Sequence, residues 1–441
     1  MKVAFLTLGC KVNYSETEKM MHQFAELGFS VVEFREKADI YVINTCTVTN
    51  MADRKSRQMI HRAKKINPDG YVVAVGCYVD SGKEELLKDP SIDACFSNKE
   101  KDHVAETIAS HFFAMEDLKP VSPEKTGKNI PLAGERTRAY IKIQDGCNQF
   151  CTYCLIPYVR GRGRLYSVPE DEVVANVKEL VQNGYKEIVL NGIHLSSYGV
   201  DWTDEKQFVS LEGKFLLELI EKLGQIPGVE RIRLGSLEPR IITEQFLEGL
   251  CKVPQICPHF HLSLQSGCDR VLKSMNRHYT TGEYKEKLQM IRRFWDRPAI
   301  TTDIIAGFPG ESEEDFLETL SYVEQIRLAD IHVFPYSQRS GTKAASMPGQ
   351  IAPEVKKERA SQLLGVTQKL KEEYEESFLG QKVKVLFEEF VEQEGKRFLV
   401  GHTERYIKIA ITETEAEQMG LEPNDIGEIT ATKENVLEFN A

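Results

Sequence analysis

The sequence predicts an α/β chain in three parts: an N-terminal doubly wound parallel sheet, a central partial (β/α)6 barrel, and a small C-terminal antiparallel β-barrel. Three observations carry that expectation. Short apolar runs alternate with amphipathic helical patterns through residues 1–115, the pattern of a parallel sheet covered by helices. Six more strand candidates, again separated by helical patterns, recur through 138–350, and such units suit a barrel or partial barrel. Short β-type runs between turn signals fill 379–441, as in a small antiparallel barrel. The length of 441 residues fits about three domains at roughly 150 residues each. With 41% hydrophobic and 28% charged residues, each part can bury a core.

In chain order, strands are expected at 3–8, 40–44 and 71–75, with helices at 15–27 and 52–66. Periodicity fails over 116–137, where Pro120, Pro123, Gly127, Pro131 and Gly134 gather, so this stretch reads as a linker. Barrel strands are expected at 140–143, 187–190, 231–234, 259–264, 300–305 and 331–334. The helix at 169–183 has Pro169 near its start and Gly184 just past its end, the usual asymmetry of helix termini. A barrel of this kind keeps its chemistry on the loops after its strands. The charged helical segment at 351–378 reads as a connector. The last strands are expected at 382–387, 397–402, 407–411 and 428–432.

Lys and Arg number 56 against 67 Asp and Glu, a net charge of -11. Nucleic-acid binding must then rest on local basic patches. No apolar run approaches the roughly 18–20 residues that span a bilayer. The apolar stretch at 3–8 is too short for a signal-peptide core, which points to a cytoplasmic protein with no membrane partner. In that compartment, ten cysteines suit metal or redox chemistry better than disulfides.

The sharpest signal is Cys147-Asn-Gln-Phe-Cys151-Thr-Tyr-Cys154, just after the first expected barrel strand. Three thiolates so spaced can hold three irons of a cubane cluster and leave the fourth open, and an open metal position marks catalysis. Zinc is the competing reading, but it prefers four ligands in paired spacing, and no fourth cysteine is near in sequence. Cys10, Cys46 and Cys77 each follow one of the first three expected strands. In a parallel sheet those positions share the carboxyl edge, where ligands bind. Three distant thiolates would there form a second metal site, against the plainer alternative of ordinary buried cysteines. Cys95, Cys251, Cys257 and Cys268 take that plainer reading.

The Cys147–Cys154 loop resembles the radical S-adenosylmethionine (SAM) superfamily. Over about 138–350 the resemblance implies a 4Fe-4S cluster on Cys147, Cys151 and Cys154, and cleavage of SAM to a 5′-deoxyadenosyl radical. The other cysteines stand in Leu8-Gly9-Cys10-Lys11-Val12-Asn13, Asn44-Thr45-Cys46-Thr47-Val48 and Val75-Gly76-Cys77-Tyr78. With these, the whole chain resembles the methylthiotransferases: an auxiliary 4Fe-4S domain, a radical SAM core and a TRAM-like RNA-binding domain. Gly9-Cys10-Lys11-Val12-Asn13, Ala52-Asp53-Arg54-Lys55-Ser56-Arg57 and Gly192-Ile193-His194-Leu195-Ser196-Ser197-Tyr198-Gly199 are similar to the tRNA branch acting on N6-threonylcarbamoyladenosine. The resemblance implies two 4Fe-4S clusters, SAM, a tRNA substrate, and an external electron donor of flavodoxin or ferredoxin type. The implied reaction is methylthiolation of C2 of that nucleoside, next to the anticodon, with Cys10, Cys46 and Cys77 on the auxiliary cluster. Two alternatives are the same chemistry on a ribosomal-protein side chain and a non-enzymatic iron–sulfur RNA-binding protein.

For SAM, Asn191 and Gly192 stand where the superfamily contacts the amino group, although a Gly-Gly-Glu is common there. Ser236 and Glu238, after the next strand, are polar candidates for SAM or substrate. For RNA, residues 51–70 carry Arg54, Lys55, Arg57, Arg62, Lys64 and Lys65 against Asp53 and Asp69. Arg160, Arg162 and Arg164 follow the cysteine loop. Both groups suit phosphate neutralisation; a solvated helix face is the alternative. The last part, from Glu376, has 7 basic and 14 acidic residues, a net of -7, which is awkward for RNA. Either one face is basic through Lys382, Arg397, Arg405 and Lys408, or the affinity is low. Phe398 and Tyr406 suit base stacking or the core.

Overall fold

The structure is a computed structural model that describes residues 1–113 and 137–439. The expected linker lies outside the described residues except for Thr137. The described chain divides into two compact units: 1–113 with 140–165 and 337–345, and 137–139 with 166–336 and 346–439. The first expected barrel strand and the cysteine loop thus group with the N-terminal sheet.

In the first unit, strands β1 (Lys2–Thr7), β2 (Ser30–Val32), β3 (Ile40–Thr45), β4 (Tyr71–Gly76) and β5 (Ala94–Phe96) form one parallel sheet, ordered β2-β1-β3-β4-β5. Helices α1 (Lys11–Glu26), α2 (Asn50–Ile66), α3 (Cys77–Leu86) and α4 (Val104–Phe112) cover both faces. The period of two along each strand divides the core. Val3, Ile40, Val42, Val73 and Val75 meet Met20 and Phe24 of α1 and Val104 and Ile108 of α4. Ala4, Tyr41, Ile43, Val72 and Ala74 meet Ile60 and Ala63 of α2 and Val79 and Leu86 of α3. A strand buried on both faces reads as a continuous apolar run, as β3 does. The sheet is doubly wound, and its direction reverses between β1 and β3. The short strands β2 and β5 and helices α3 and α4 carry too little periodic signal to be expected. Helix α1 begins at Lys11 rather than at 15, because Cys10 itself is its N-cap. Strand β6 (Ala139–Asp145) leads into the cysteine loop, and the short helix α5 (Ile156–Val159) follows it.

The second unit contains β7 (Tyr166–Ser167), β8 (Glu187–Gly192), β9 (Arg231–Leu234), β10 (His259–His261), β11 (Ala299–Ala306) and β12 (Asp330–Pro335). Strand β8 pairs with β9 in parallel, and β10, β11 and β12 form a second parallel set. Parallel bridges Ile232↔Ile256 and Leu237↔Leu262 lie between the two sets. Helices Glu170–Gln182, Lys214–Gly224, Glu244–Cys251, Thr281–Phe294 and Glu313–Ile326 alternate with these strands. Helix Pro353–Glu376, expected as a connector, instead packs on β12 and on helix Glu313–Ile326. It buries Ala360, Leu363 and Leu370, so it belongs to the core. The C-terminal strands β13 (Lys382–Gln393), β14 (Lys396–Thr403), β15 (Lys408–Thr412) and β16 (Ile426–Thr430) are antiparallel, ordered β15-β14-β13-β16. Among the described residues, no helix is long and apolar enough to cross a membrane.

Candidate active site

Cys10 follows β1, Cys46 follows β3, and Cys77 opens α3 directly after β4. All three therefore stand at the carboxyl edge of one sheet. The first two flank the reversal between β1 and β3, where helices leave to opposite faces and a crevice forms. Two glycines clear the space. Gly9 has φ +102°, and a Cβ there would lie 2.9 Å from Cys46 Sγ. Gly76 has φ +98°, and a Cβ there would lie 2.8 Å from Asn44 Oδ1. Both conformations disfavour any residue with a side chain. Asn13 stitches the edge: its Nδ2 donates to Leu8 O at 2.7 Å and to Thr45 O at 3.0 Å.

Burial pushes the Cys46 thiol up to about 11, and the neighbouring Cys77 and Cys10 push it the same way. Cys10 opens partly to solvent, yet the crowded sheet edge still raises its pKa, with Arg160 opposing. The Cys46 and Cys10 thiols thus resist ionising; a bound metal removes such protons. Cys10 caps α1 and Cys77 sits in the first turn of α3. The donor set, held at one sheet edge by the close approach the two glycines allow, fits a cluster held by three thiolates.

A buried ion cluster adjoins this edge. Arg160 is 2% exposed. Its Nε donates to Cys77 Sγ at 3.3 Å. Its Nη1 donates to Glu16 Oε1 at 2.9 Å and to Asp145 Oδ1 at 3.1 Å. Its Nη2 donates to Asn13 Oδ1 at 2.9 Å and to Glu16 Oε2 at 3.0 Å. Lys101 also pairs with Glu16, and Lys142 bridges Glu16 at 2.9 Å and Asp145 at 3.1 Å. Burial alone would raise Glu16, but Lys101, Arg160 and Lys142 hold it well below the usual carboxylate range. Sequence reading assigns no role to Asn13, Glu16, Lys101 or Asp145.

Cys147, Cys151 and Cys154 lie partly exposed on the loop after β6. Gly146 starts the loop at φ +78°, and a Cβ there would fall 2.0 Å from Arg164 O. Cys154 N donates to Cys151 O at 3.0 Å, and Ala344 N donates to Thr152 O at 2.8 Å. Partly exposed thiols on a braced loop fit a three-thiolate cluster with an accessible fourth position. A cavity of about 690 Å³ lies in the same unit, lined by Tyr78, Leu155, Tyr158, Arg57 and Arg339 among others. Tyr78 adjoins Cys77 and Leu155 adjoins Cys154. Arg339, a residue without any motif signal, is buried and holds Thr47 Oγ1 at 2.7 Å and Asp53 Oδ2 at 2.8 Å.

In the second unit, Asn191 and Gly192 end β8, while Ser236 and Glu238 follow β9. Gly235 N donates to Leu190 O at 2.8 Å, which draws these strand ends together. Asn191 is buried and its Nδ2 donates to Val189 O at 3.0 Å; Ser236 is exposed. Glu238 is engaged within its own loop. Its buried carboxylate accepts from Arg240 N at 2.8 Å and from Arg240 Nε at 2.6 Å, so it staples its own loop. His194 is pushed down to about 3 by burial, with Arg277 and Arg240 adding to the effect. It is a neutral imidazole whose Nδ1 lies 2.6 Å from Ser197 Oγ.

Arg54, Lys55, Arg57 and Arg62 are exposed on α2, and Arg162 and Arg164 are exposed past the cysteine loop. Arg160 is the correction in that set. Its guanidinium is engaged in the interior and cannot meet a phosphate. In the C-terminal sheet, Lys382 pairs with Glu428 at 2.9 Å, and Arg397 pairs with Glu413. Arg405 Nε donates to Arg297 O at 3.1 Å. Tyr406 lies 5.0 Å from each of the Arg138 and Arg233 guanidiniums, and Phe398 packs on Phe439. Lys408 Nζ lies 4.8 Å from the Phe439 ring, so all four cations expected on a basic face have internal partners. Cys95, Cys257 and Cys268 are buried as expected of core thiols, whereas Cys251 is exposed.

Residues 2–97 match the model of "Uncharacterized protein family UPF0004", and residues 141–323 match the Radical SAM superfamily. The radical S-adenosylmethionine methyltransferase TsrM from Kitasatospora setae has a similar fold, with a TM-score of 0.53 at 14% identity over 75% of this chain and 74% of that chain. Fold and cysteine loop define a radical SAM protein. Over 94% of its length, this chain is 39% identical to the threonylcarbamoyladenosine tRNA methylthiotransferase MtaB of Bacillus subtilis, covering 91% of that protein. Against MtaB of Aquifex aeolicus it is 41% identical over 88% of its length, covering 92% of that protein. A tRNA-2-methylthio-N(6)-dimethylallyladenosine synthase of Thermoanaerobacter is 36% identical over 87% of this chain and 81% of that protein. The chain belongs to the tRNA methylthiotransferase family of radical SAM proteins.

Proposed function

We propose that this chain methylthiolates C2 of N6-threonylcarbamoyladenosine next to the anticodon in tRNA, giving the 2-methylthio nucleoside. One observation carries the reading. Three thiols from distant segments stand at the carboxyl edge of one doubly wound sheet, in the same compact unit as the Cys147–Cys154 loop. The relatives at 39% and 41% identity support the threonylcarbamoyl substrate over the dimethylallyl one. In this reading Cys147, Cys151 and Cys154 hold the 4Fe-4S cluster that binds SAM, and Cys10, Cys46 and Cys77 hold the auxiliary one. Asn191, Gly192, Ser236 and Glu238 are the candidates to contact SAM or substrate.

When bound, these groups supply a carbon radical able to remove the C2 hydrogen, together with the sulfur and methyl group of the product. The chain supplies position and shelter. Tyr78 and Tyr158 give the cavity flat faces for a base, and the exposed Arg57 offers guanidinium donors to the threonyl carboxylate. Arg54, Lys55, Arg62, Arg162 and Arg164 neutralise flanking phosphates. The electron donor is an external protein of flavodoxin or ferredoxin type, and the reaction takes place in the cytoplasm. Segments 1–115, 138–350 and 379–441 act as auxiliary, catalytic and TRAM-like RNA-binding parts. The test is nucleoside mass spectrometry of tRNA from cells with and without the gene. Loss of the 2-methylthio form with build-up of N6-threonylcarbamoyladenosine is expected. An unchanged profile would move the substrate to another RNA or to a protein.

A further inference from the structure

Arg160, Lys101 and Lys142 stand against Glu16 and Asp145 in one ion cluster. Asp80, the next carboxylate in reach of Arg160 and Lys101, is exposed and accepts from Asn98 Nδ2 at 2.7 Å. The buried guanidinium also reaches the sheet edge: Cys77 Sγ accepts from Arg160 Nε at 3.3 Å and from Asn98 Nδ2 at 3.4 Å. A sulfur that accepts N–H bonds beside a fixed cation stabilises the more electron-rich state of a cluster it ligates.

We propose that Arg160 is a positioning residue that raises the reduction potential of the auxiliary cluster through its bond to Cys77 Sγ. This rests on the reading that Cys10, Cys46 and Cys77 hold such a cluster. The guanidinium grips Asp145 with Nη1 at 3.1 Å, and Asp145 lies two residues before Cys147. One side chain thereby both charges the auxiliary edge and braces the start of the SAM-cluster loop. That dual role accounts for an arginine with every donor engaged, where a lysine would supply charge without the fork.

The test is a reductive titration with dithionite, followed by electron paramagnetic resonance, on the reconstituted full chain. One electron enters each cluster, and the auxiliary signal is the one that survives in C147A/C151A/C154A. Arg160→Gln should lower the auxiliary midpoint so that the reduction equilibrium falls at least tenfold, about 59 mV for one electron. Arg160→Lys should restore most of that shift. An unchanged midpoint in Arg160→Gln with full iron content would overturn the proposal and leave Arg160 a structural staple. If Arg160→Gln fails to hold iron, Asp145→Asn decides. Removing that anion must raise the midpoint, and an unchanged or lower value overturns the proposal. A C147A/C151A/C154A protein with no iron and no signal would instead overturn the auxiliary-cluster reading itself.

Discussion

At Gly76 the backbone takes φ +98°, with no room for a Cβ beside Asn44 Oδ1. Gly76→Ala should cost about 1–3 kcal/mol in backbone strain alone and displace Cys77 from the edge. Iron analysis after reconstitution should then give about four rather than about eight irons per chain, as one of two cubanes is lost. Cys10, Cys46 and Cys77 changed together to Ala should spare SAM cleavage but stop methylthio product. If product persists, those cysteines are core residues. Replacing Cys147, Cys151 or Cys154 by Ala should abolish 5′-deoxyadenosine, and normal output would sink the radical assignment. The six cysteines are legible in the sequence because close spacing and strand-then-cysteine placement are local signals. Arg160 reads from the sequence as an RNA-binding residue because its partners, Glu16 and Cys77, lie far back in the chain.

Helix α2 shows the same limit at the scale of an element. Its start is local: Thr49 Oγ1 accepts from Ala52 N at 3.1 Å, Asp53 lies in the first turn, and Lys64 and Lys65 lie in the last. Ser56, Ile60 and Ala63 face the core, which leaves Arg54, Lys55, Arg57 and Arg62 outward. Charge reversal of Arg54, Arg57 and Arg62 to Glu should weaken tRNA binding. It should also flatten the salt dependence, by about 0.9 in slope for each phosphate that is no longer neutralised. Filter binding across a salt series checks this; unchanged affinity and slope would make the face merely solvated. Helix Pro353–Glu376 has the converse history. Its charged sequence hides a stripe of Ala360, Leu363 and Leu370 that only packing reveals.

Across the second unit, one carboxylate joins β8 and β9 to the C-terminal sheet. Glu187 accepts from Arg233 Nε at 2.6 Å, while Arg231 Nη1 donates to His402 O at 3.0 Å and Arg231 Nη2 to Lys384 O at 3.0 Å. Burial alone would raise the Glu187 pKa, but Arg233, with Arg138 and Arg231, holds it at about 2. A depressed folded pKa stabilises above the unfolded carboxylate value of about 4.3, and the gain is lost as pH falls toward about 2. Glu187→Gln should therefore destabilise by about 3–5 kcal/mol at pH 7, since it leaves two buried guanidiniums short of an anion. The difference from the parent should shrink below about pH 4. Urea unfolding at pH 7 and pH 3 checks both statements, and an equal difference at the two pH values would refute the electrostatic origin.

The amino-acid pattern alone marked the parallel and antiparallel parts, six strands of the central region to within a few residues, and the placement of Cys10, Cys46 and Cys77 after three strands of one sheet. Those features are written in short-range period and spacing, which tertiary contacts did not override. Long-range contacts were needed to show which compact unit holds the cysteine loop, that Glu238 closes on Arg240, and that the C-terminal cations answer to internal partners. They alone placed Arg160 between Cys77, Glu16 and Asp145. A buried charge is stable only beside its counter-charges, and residues brought together from 13, 16, 77, 101, 145 and 160 leave no trace of that meeting along the chain.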